Sequence, residues 1–249
     1  MKMIVILLLC IFGTINLYSI DYTKVNGVNL EQTPTNLDID LINYKDFYRL
    51  TKNGQNTKGA LWLTQPVNLN NPFIIEFQAN FGNLDIGADG IAFVFHKDER
   101  GYFSGGFVPN SAGLGNVIGH LGGRMGYGGS TTMNGTTGQV SKSVALEFDT
   151  FFNTNATGYS DLANKNDHFD IIRNGEMSNS TINKVDLIQI EDEFIHQIQI
   201  VWIPGNAPNQ NIGTLTVLDK CEIIFNDSNF KIDDGMVGSN SWGAGISNR

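Results

Sequence analysis

Five short stretches of the chain alternate their side chains with a period of two. Phe73, Ile75, Phe77 and Ala79 face one way, and Ile74, Glu76, Gln78 and Asn80 the other. Ile91, Phe93 and Phe95 alternate with Ala92, Val94 and His96, and Val144, Leu146 and Phe148 with Ala145, Glu147 and Asp149. Ile198, Ile200 and Trp202 alternate with Gln197, Gln199 and Val201, and Leu215 and Val217 with Thr214, Thr216 and Leu218. A strand sends successive side chains to opposite faces, so this period predicts half-buried strands. Turn formers separate the runs, drawn from 28 Gly and 29 Asn residues. No segment carries an amphipathic helix of more than three turns. Strands buried on one face pair best as two antiparallel sheets packed together. The expectation is an all-β, two-sheet antiparallel sandwich of the jelly-roll, concanavalin-like kind. Neither a linker nor an internal repeat divides the chain, and 41% hydrophobic residues suffice for one large core.

The first 19 residues read differently. Lys2 precedes an unbroken apolar run from Ile4 to Phe12, and Ser19 is a small residue suited to a cleavage position. This is the pattern of a secretory signal peptide, leaving a mature domain over 20–249 that is secreted or held at the cell surface. A membrane anchor needs a run of about 20 apolar residues, longer than this one. A lipoprotein signal would want a small residue before Cys10, where Leu9 stands. Cleavage leaves Cys221 as the one cysteine, so no intramolecular disulfide forms, and the domain must be held by its core and by metal. The formal charge of −9 becomes −10 once Lys2 is lost. No basic face is visible for a nucleic-acid partner.

The segment VALEFDTFFNTNATGYSDLANKNDHFDI concentrates the chemistry. On a strand, Glu147 and Asp149 share the face opposite Leu146 and Phe148. Two neighbouring carboxylates repel, and a cation relieves them. Asn153, Asp161 and the Asp167-His168 pair follow. Oxygen-rich ligands beside one imidazole suit Ca²⁺ with a transition-metal neighbour such as Mn²⁺. Ca²⁺ also accepts backbone carbonyls, so Phe151 qualifies without a polar side chain. A solvated acidic strand end is the plain alternative. An EF-hand fails, because its sixth loop position is Thr154 rather than Gly and its twelfth is Ser160 rather than Glu. A phosphate-binding loop fails too, for want of Gly-Lys-Ser/Thr.

Four blocks, in order, together carry a resemblance. They are Ala88-Asp89-Gly90-Ile91-Ala92-Phe93, then Gly122-Gly123-Arg124-Met125-Gly126, then the Glu147 to His168 segment. The fourth is His196 to Trp202 followed by Thr214-Leu215-Thr216-Val217. Over about Leu50 to Trp242 the chain resembles the L-type, legume-like lectins, in particular their bacterial branch. The resemblance implies non-catalytic binding of glycans or glycoconjugates. It implies Ca²⁺ held by Asp149, the Phe151 carbonyl, Asn153 and Asp161, and a transition metal held by Glu147, Asp149, Asp161 and His168. It implies a sugar gripped by the Asp89 carboxylate, the Gly123 N–H and the Asn153 amide, with the Phe151 ring as a stacking face. A cis peptide between Ala88 and Asp89 is implied as well. Asp161 is preferred to Asp167 as ligand, because Asp167 and His168 are adjacent and point oppositely on an extended segment.

Two other function classes compete. A sandwich glycosidase would use Glu147 and Asp149, yet it needs a second acid close after them, where Thr150, Phe151, Phe152 and Asn153 stand. A structural or adhesion module with a dead sugar site is the other, and the intact Asp89, Gly123 and Asn153 speak against it. The family's pattern continues past a strand resembling Trp242-Gly243-Ala244-Gly245 into a closing strand, which this chain lacks. An open sheet edge would then invite a homo-oligomer. Tyr127, beside the glycine loop, is a further candidate for glycan contact. His96, His120 and His196 read as ordinary strand or loop residues, and Trp62 and Trp202 as core.

Overall fold

The computed structural model describes residues 58–62, 66–84, 87, 89–100, 117–120, 123–129, 138–153, 161–177, 182, 184–206, 211–232 and 241–248. The expected leader over 1–19, Ala88 and Gly122 lie outside them. The strands are β1 (Gly59–Trp62), β2 (Val67–Asn68), β3 (Phe73–Ala79), β4 (Gly90–His96), β5 (Ser143–Asp149) and β6 (Asp167–Arg173). They continue as β7 (Val185–Ile188), β8 (His196–Pro204), β9 (Ile212–Asp219), β10 (Glu222–Lys231) and β11 (Ser241–Asn248).

The strands form two antiparallel sheets, as the period of two predicts. The larger runs β1-β11-β4-β5-β6-β7, with β2 also paired to β11. The smaller runs β10-β9-β8-β3. Facing side chains fill the space between them. Phe93 and Phe95 of β4 meet Phe77 and Phe73 of β3, at centroid separations of 5.8 and 6.1 Å. Phe148 of β5 packs edge-on against Phe169 of β6 at 5.3 Å. Trp202 is fully buried and donates Nε1–H to the Leu69 carbonyl at 2.8 Å, and Trp62 donates likewise to Val117 at 3.0 Å. Both tryptophans are core, as expected: a buried indole needs one acceptor for its N–H, and each has it.

The Trp242–Gly245 segment is part of β11, which lies inside the larger sheet. Gly243 to Asn248 pair with His96 to Ile91 of β4, and on the other side Gly245 to Asn248 pair with Trp62 to Gly59. Among the described residues, β3 pairs on one side only, with β8. No described helix is long and apolar enough to cross a membrane.

Candidate functional site

The acidic face of β5 is built by strand register. Glu147 pairs with Ala92 on β4 and Asp170 on β6, and Asp149 pairs with Gly90 and His168. Residues directly opposite in a ladder lie side by side on one face, so four ionisable groups converge. They are not a solvated strand end. Glu147 is 2% exposed and Asp149 5%, because every residue of β5 is covered. Burial, and then the neighbouring Asp149, drive the Glu147 carboxyl well above the ordinary carboxylate range. Asp149 rises likewise through burial and through the charges of Asp161 and Asp89, against a hydrogen bond that opposes it.

That bond comes from the loop after β5. Phe151 N–H donates to Asp149 Oδ1 at 2.8 Å, which turns the chain sharply. Asn153 then folds back, its Nδ2 donating to the Phe151 carbonyl at 3.1 Å and its N–H donating to Asp161 Oδ2. Asp161 is thereby drawn in, and carboxylate and imidazole atoms of Asp149, Asp161 and His168 lie within 4.8 Å of one another. Burial raises the Asp161 carboxyl too. Asp167 is engaged elsewhere, its Oδ2 accepting from Ile190 N–H at 2.6 Å. Adjacent residues on β6 point oppositely, and of the two aspartates the structure brings Asp161 to His168's side.

The glycine loop reaches the same place. Gly126 N–H donates to the His120 carbonyl at 3.0 Å, and the Tyr127 and Gly128 N–H groups both donate to the Arg124 carbonyl at 2.7 Å. These bonds tie the 123–128 stretch back on itself and toward His120. A Cβ on Gly123 would stand 3.1 Å from Asn153 Oδ1 and 3.2 Å from Nδ2, so this backbone lies against the amide. Asp89 enters from β4's leading edge. It is buried, its charge reaches Asp149, and its carbonyl accepts from Thr150 N–H at 3.3 Å. Asp89, Gly123, Phe151 and Asn153 therefore ring the acidic cluster.

One side chain went unforeseen. Lys184, just before β7, places Nζ 2.9 Å from His168 Nε2 and 2.8 Å from Asp170 Oδ2. Glu147, His168 and Asp170 themselves have ligand atoms within 4.8 Å of one another, so Lys184 sits on the rim of a metal-sized group. Burial and then the Lys184 charge push the His168 imidazole down to about 3, leaving it neutral. Burial opposes the Lys184 charge, but Asp170's hydrogen bond and charge outweigh it and hold the ammonium protonated. No local pattern announces this contact, because only the β6–β7 register brings Lys184 to His168 and Asp170.

Tyr127 does not reach a glycan. It is wholly buried, with its hydroxyl 2.9 Å from Ser143 Oγ and donating to the Ile172 carbonyl at 3.3 Å. The strained turn at Met125 and Gly126, with φ of 47° and 64°, swings the ring inward. His96 is likewise core, stacked edge-on to Trp62 at 4.6 Å. His196 is paired, with Nδ1 2.6 Å from Asp219 Oδ2 and Nε2 3.1 Å from Asp192 Oδ1.

Known proteins share the fold. The sequence model of the Legume-like lectin family matches residues 35–118, which take in Asp89 and β4 and stop before the glycine loop. The winged bean acidic lectin, solved with methyl-α-D-galactose, superposes with a TM-score of 0.51 at 20% identity, over 83% of this chain and 79% of that one. Lectin II from Ulex europaeus gives 0.52 at 16% identity, over 83% and 80%. The Lotus tetragonolobus seed lectin gives 0.51 at 18%, over 86% and 82%. The fold is the legume-lectin sandwich. The matching family model and the superposed structures are those of lectins.

Proposed function

We propose that the protein is a Ca²⁺-dependent lectin that binds glycans non-catalytically in a shallow site beside the acidic cluster. The observation that carries this reading is the contact of the Gly123 backbone with the Asn153 amide, beside a cluster of buried carboxyls. Five carboxyls (Asp89, Glu147, Asp149, Asp161 and Asp170) gather here, with the Lys184 ammonium hydrogen-bonded to Asp170. Buried acids so placed either stay protonated or hold a metal.

Asp149, Asp161, the Phe151 carbonyl and the Asn153 amide oxygen form an all-oxygen set, which fits Ca²⁺. With the ion present the Asn153 amide would turn its oxygen, not its nitrogen, toward the Phe151 carbonyl. A cation between them reconciles two such oxygens. The expected transition-metal set of Glu147, Asp149, Asp161 and His168 does not fit as well, because the Nε2 lone pair of His168 is already met by Lys184. Calcium's part is to fix the 151–153 loop and neutralise the carboxylates. The residues of the chain would do the recognition. Sugars present vicinal hydroxyls that donate and accept. Asp89 accepts, Asn153 does both, and Gly123 N–H donates with no side chain to hold the sugar away. The half-buried Phe151 ring offers a stacking face.

This reading extends to the finer points of the sequence. The leader over 1–19 exports the 20–249 domain to the cell exterior, and kinship is with the bacterial branch of the L-type lectins. The one-sided edge of β3 pairs two copies, and several weak sites then act together. The test is a glycan array probed with parent protein and Asp89→Ala, in Ca²⁺ and in EDTA. The reading expects parent binding in Ca²⁺ alone and none by the variant, whose Ca²⁺ affinity stays near the parent's. Equal glycan binding by parent and variant would remove the proposed sugar site.

A further inference from the structure

We propose that the Lys184 ammonium fills the role of the second cation, so that the site works with Ca²⁺ and no transition metal. The inference rests on the calcium reading above and goes beyond it by assigning a residue to the second position.

Three observations carry it. First, Lys184 Nζ lies 2.9 Å from His168 Nε2 and 2.8 Å from Asp170 Oδ2. An ammonium only donates, so Nε2 must accept, and His168 carries its proton on Nδ1. A metal would need that same lone pair. Second, the charge is placed where the ladder sets two carboxyls opposite each other. Glu147 and Asp170 stand directly opposite each other on β5 and β6, and like charges so placed destabilise a sheet. Lys184 is bonded to one and attracted by the other. Third, the strand that begins just after the lysine is held in place. Val185 and Asp186 pair with Phe169 and His168, which fixes β7 against β6. Asp186 Oδ atoms accept from Asn164 Nδ2 at 2.7 Å, from Asn166 Nδ2 at 2.9 Å and from Ile188 N–H at 2.8 Å. The Lys184 side chain is 16% exposed and the Asp170 side chain is wholly buried, so the pair is shielded from water. A transition metal at His168 would have to displace an ammonium already bonded to two of its neighbours. A covalently tethered cation also frees half of the site from metal supply.

The test uses the full chain, stripped of metal and then saturated with Ca²⁺. Mn²⁺ is titrated in while its free form is followed by electron paramagnetic resonance, and bound metals are counted by mass spectrometry. The expected result is one equivalent of Ca²⁺ and no Mn²⁺ on the parent. Lys184→Met, which keeps the aliphatic stem, should take up Mn²⁺ about tenfold or more tightly than the parent, and a further His168→Ala should abolish that gain. Parent protein that holds Ca²⁺ and Mn²⁺ together, with Mn²⁺ lost in His168→Ala, would overturn the inference and leave the calcium reading standing. So would Lys184→Met that keeps Ca²⁺ but binds Mn²⁺ no better than the parent. Should Lys184→Met not fold, the parent's metal count decides alone. Failure of the parent to bind Ca²⁺ would overturn the calcium reading and this inference with it.

Discussion

Gly123 stands where any side chain would touch Asn153. A methyl at 3.1 to 3.2 Å from the amide is tight rather than prohibitive, so the loop survives it. What it removes is the approach of a sugar to the backbone. Gly123→Ala should weaken glycan binding about tenfold or more while moving the melting midpoint little, as titration calorimetry and a melting curve would show. His196 makes a prediction about pH. Burial lowers its pKa, but hydrogen bonds to Asp219 and Asp192 outweigh burial and raise it above 6.5. A raised folded pKa adds stability that is fully present below about pH 6.5 and lost as pH rises through the folded value. Denaturant midpoints of parent and His196→Gln should therefore converge as pH climbs from about 6 to about 8; a constant gap would contradict the pairing. Glu147, Asp149, Asp161 and His168 were legible from residue type and spacing. Lys184 was not, since a lysine 16 residues past His168 carries no local signal. Tyr127 misled for the opposite reason: nearness to the glycine loop in sequence says nothing of which way the turn throws its ring.

β4 and β5 carry the site between them, and their junction is strict. Gly90 has φ of +118°, and a Cβ there would lie 2.0 Å from the Phe148 carbonyl. Gly90→Ala should cost about 3 kcal/mol or more of folding stability and disturb Ca²⁺ binding through Asp149, both read in one chemical-denaturation series with and without Ca²⁺. On the opposite sheet Trp202→Ala should cost about 3–5 kcal/mol, because it leaves a cavity and strands the Leu69 carbonyl. Strands with clean alternation were readable within a residue or two: β3, β4, β5, β8 and β9 all lie where period two puts them. β6, β7 and β10 were not read as strands. β6 spells Asp-His-Phe-Asp-Ile-Ile-Arg, where the polar residues are buried because they build the site, so function hides the pattern. β7 spans only four residues, and β10 is largely exposed along its length, so the apolar side of each is too short or broken to announce it.

At the scale of the molecule, the sandwich hangs on its core, and the proposed ion would add to it by quieting the acidic cluster. A ligand bound only by the folded state raises the melting midpoint with its concentration. The ring of Asp149, Phe151, Asn153 and Asp161 exists only when β5 is paired with β6 and its following loop is closed, so on the proposed reading Ca²⁺ binding would be coupled to folding. The two-sheet architecture was legible from alternation and turn composition alone, whereas the convergence of the glycine loop on Asn153 needed the third dimension. The most direct measurement is thermal unfolding of the full chain in EDTA and then across a Ca²⁺ series. The account predicts one cooperative transition whose midpoint climbs steadily with Ca²⁺ in the parent and stays flat in Asp149→Ala. A cooperative parent transition with the same midpoint in EDTA and in saturating Ca²⁺ would contradict it.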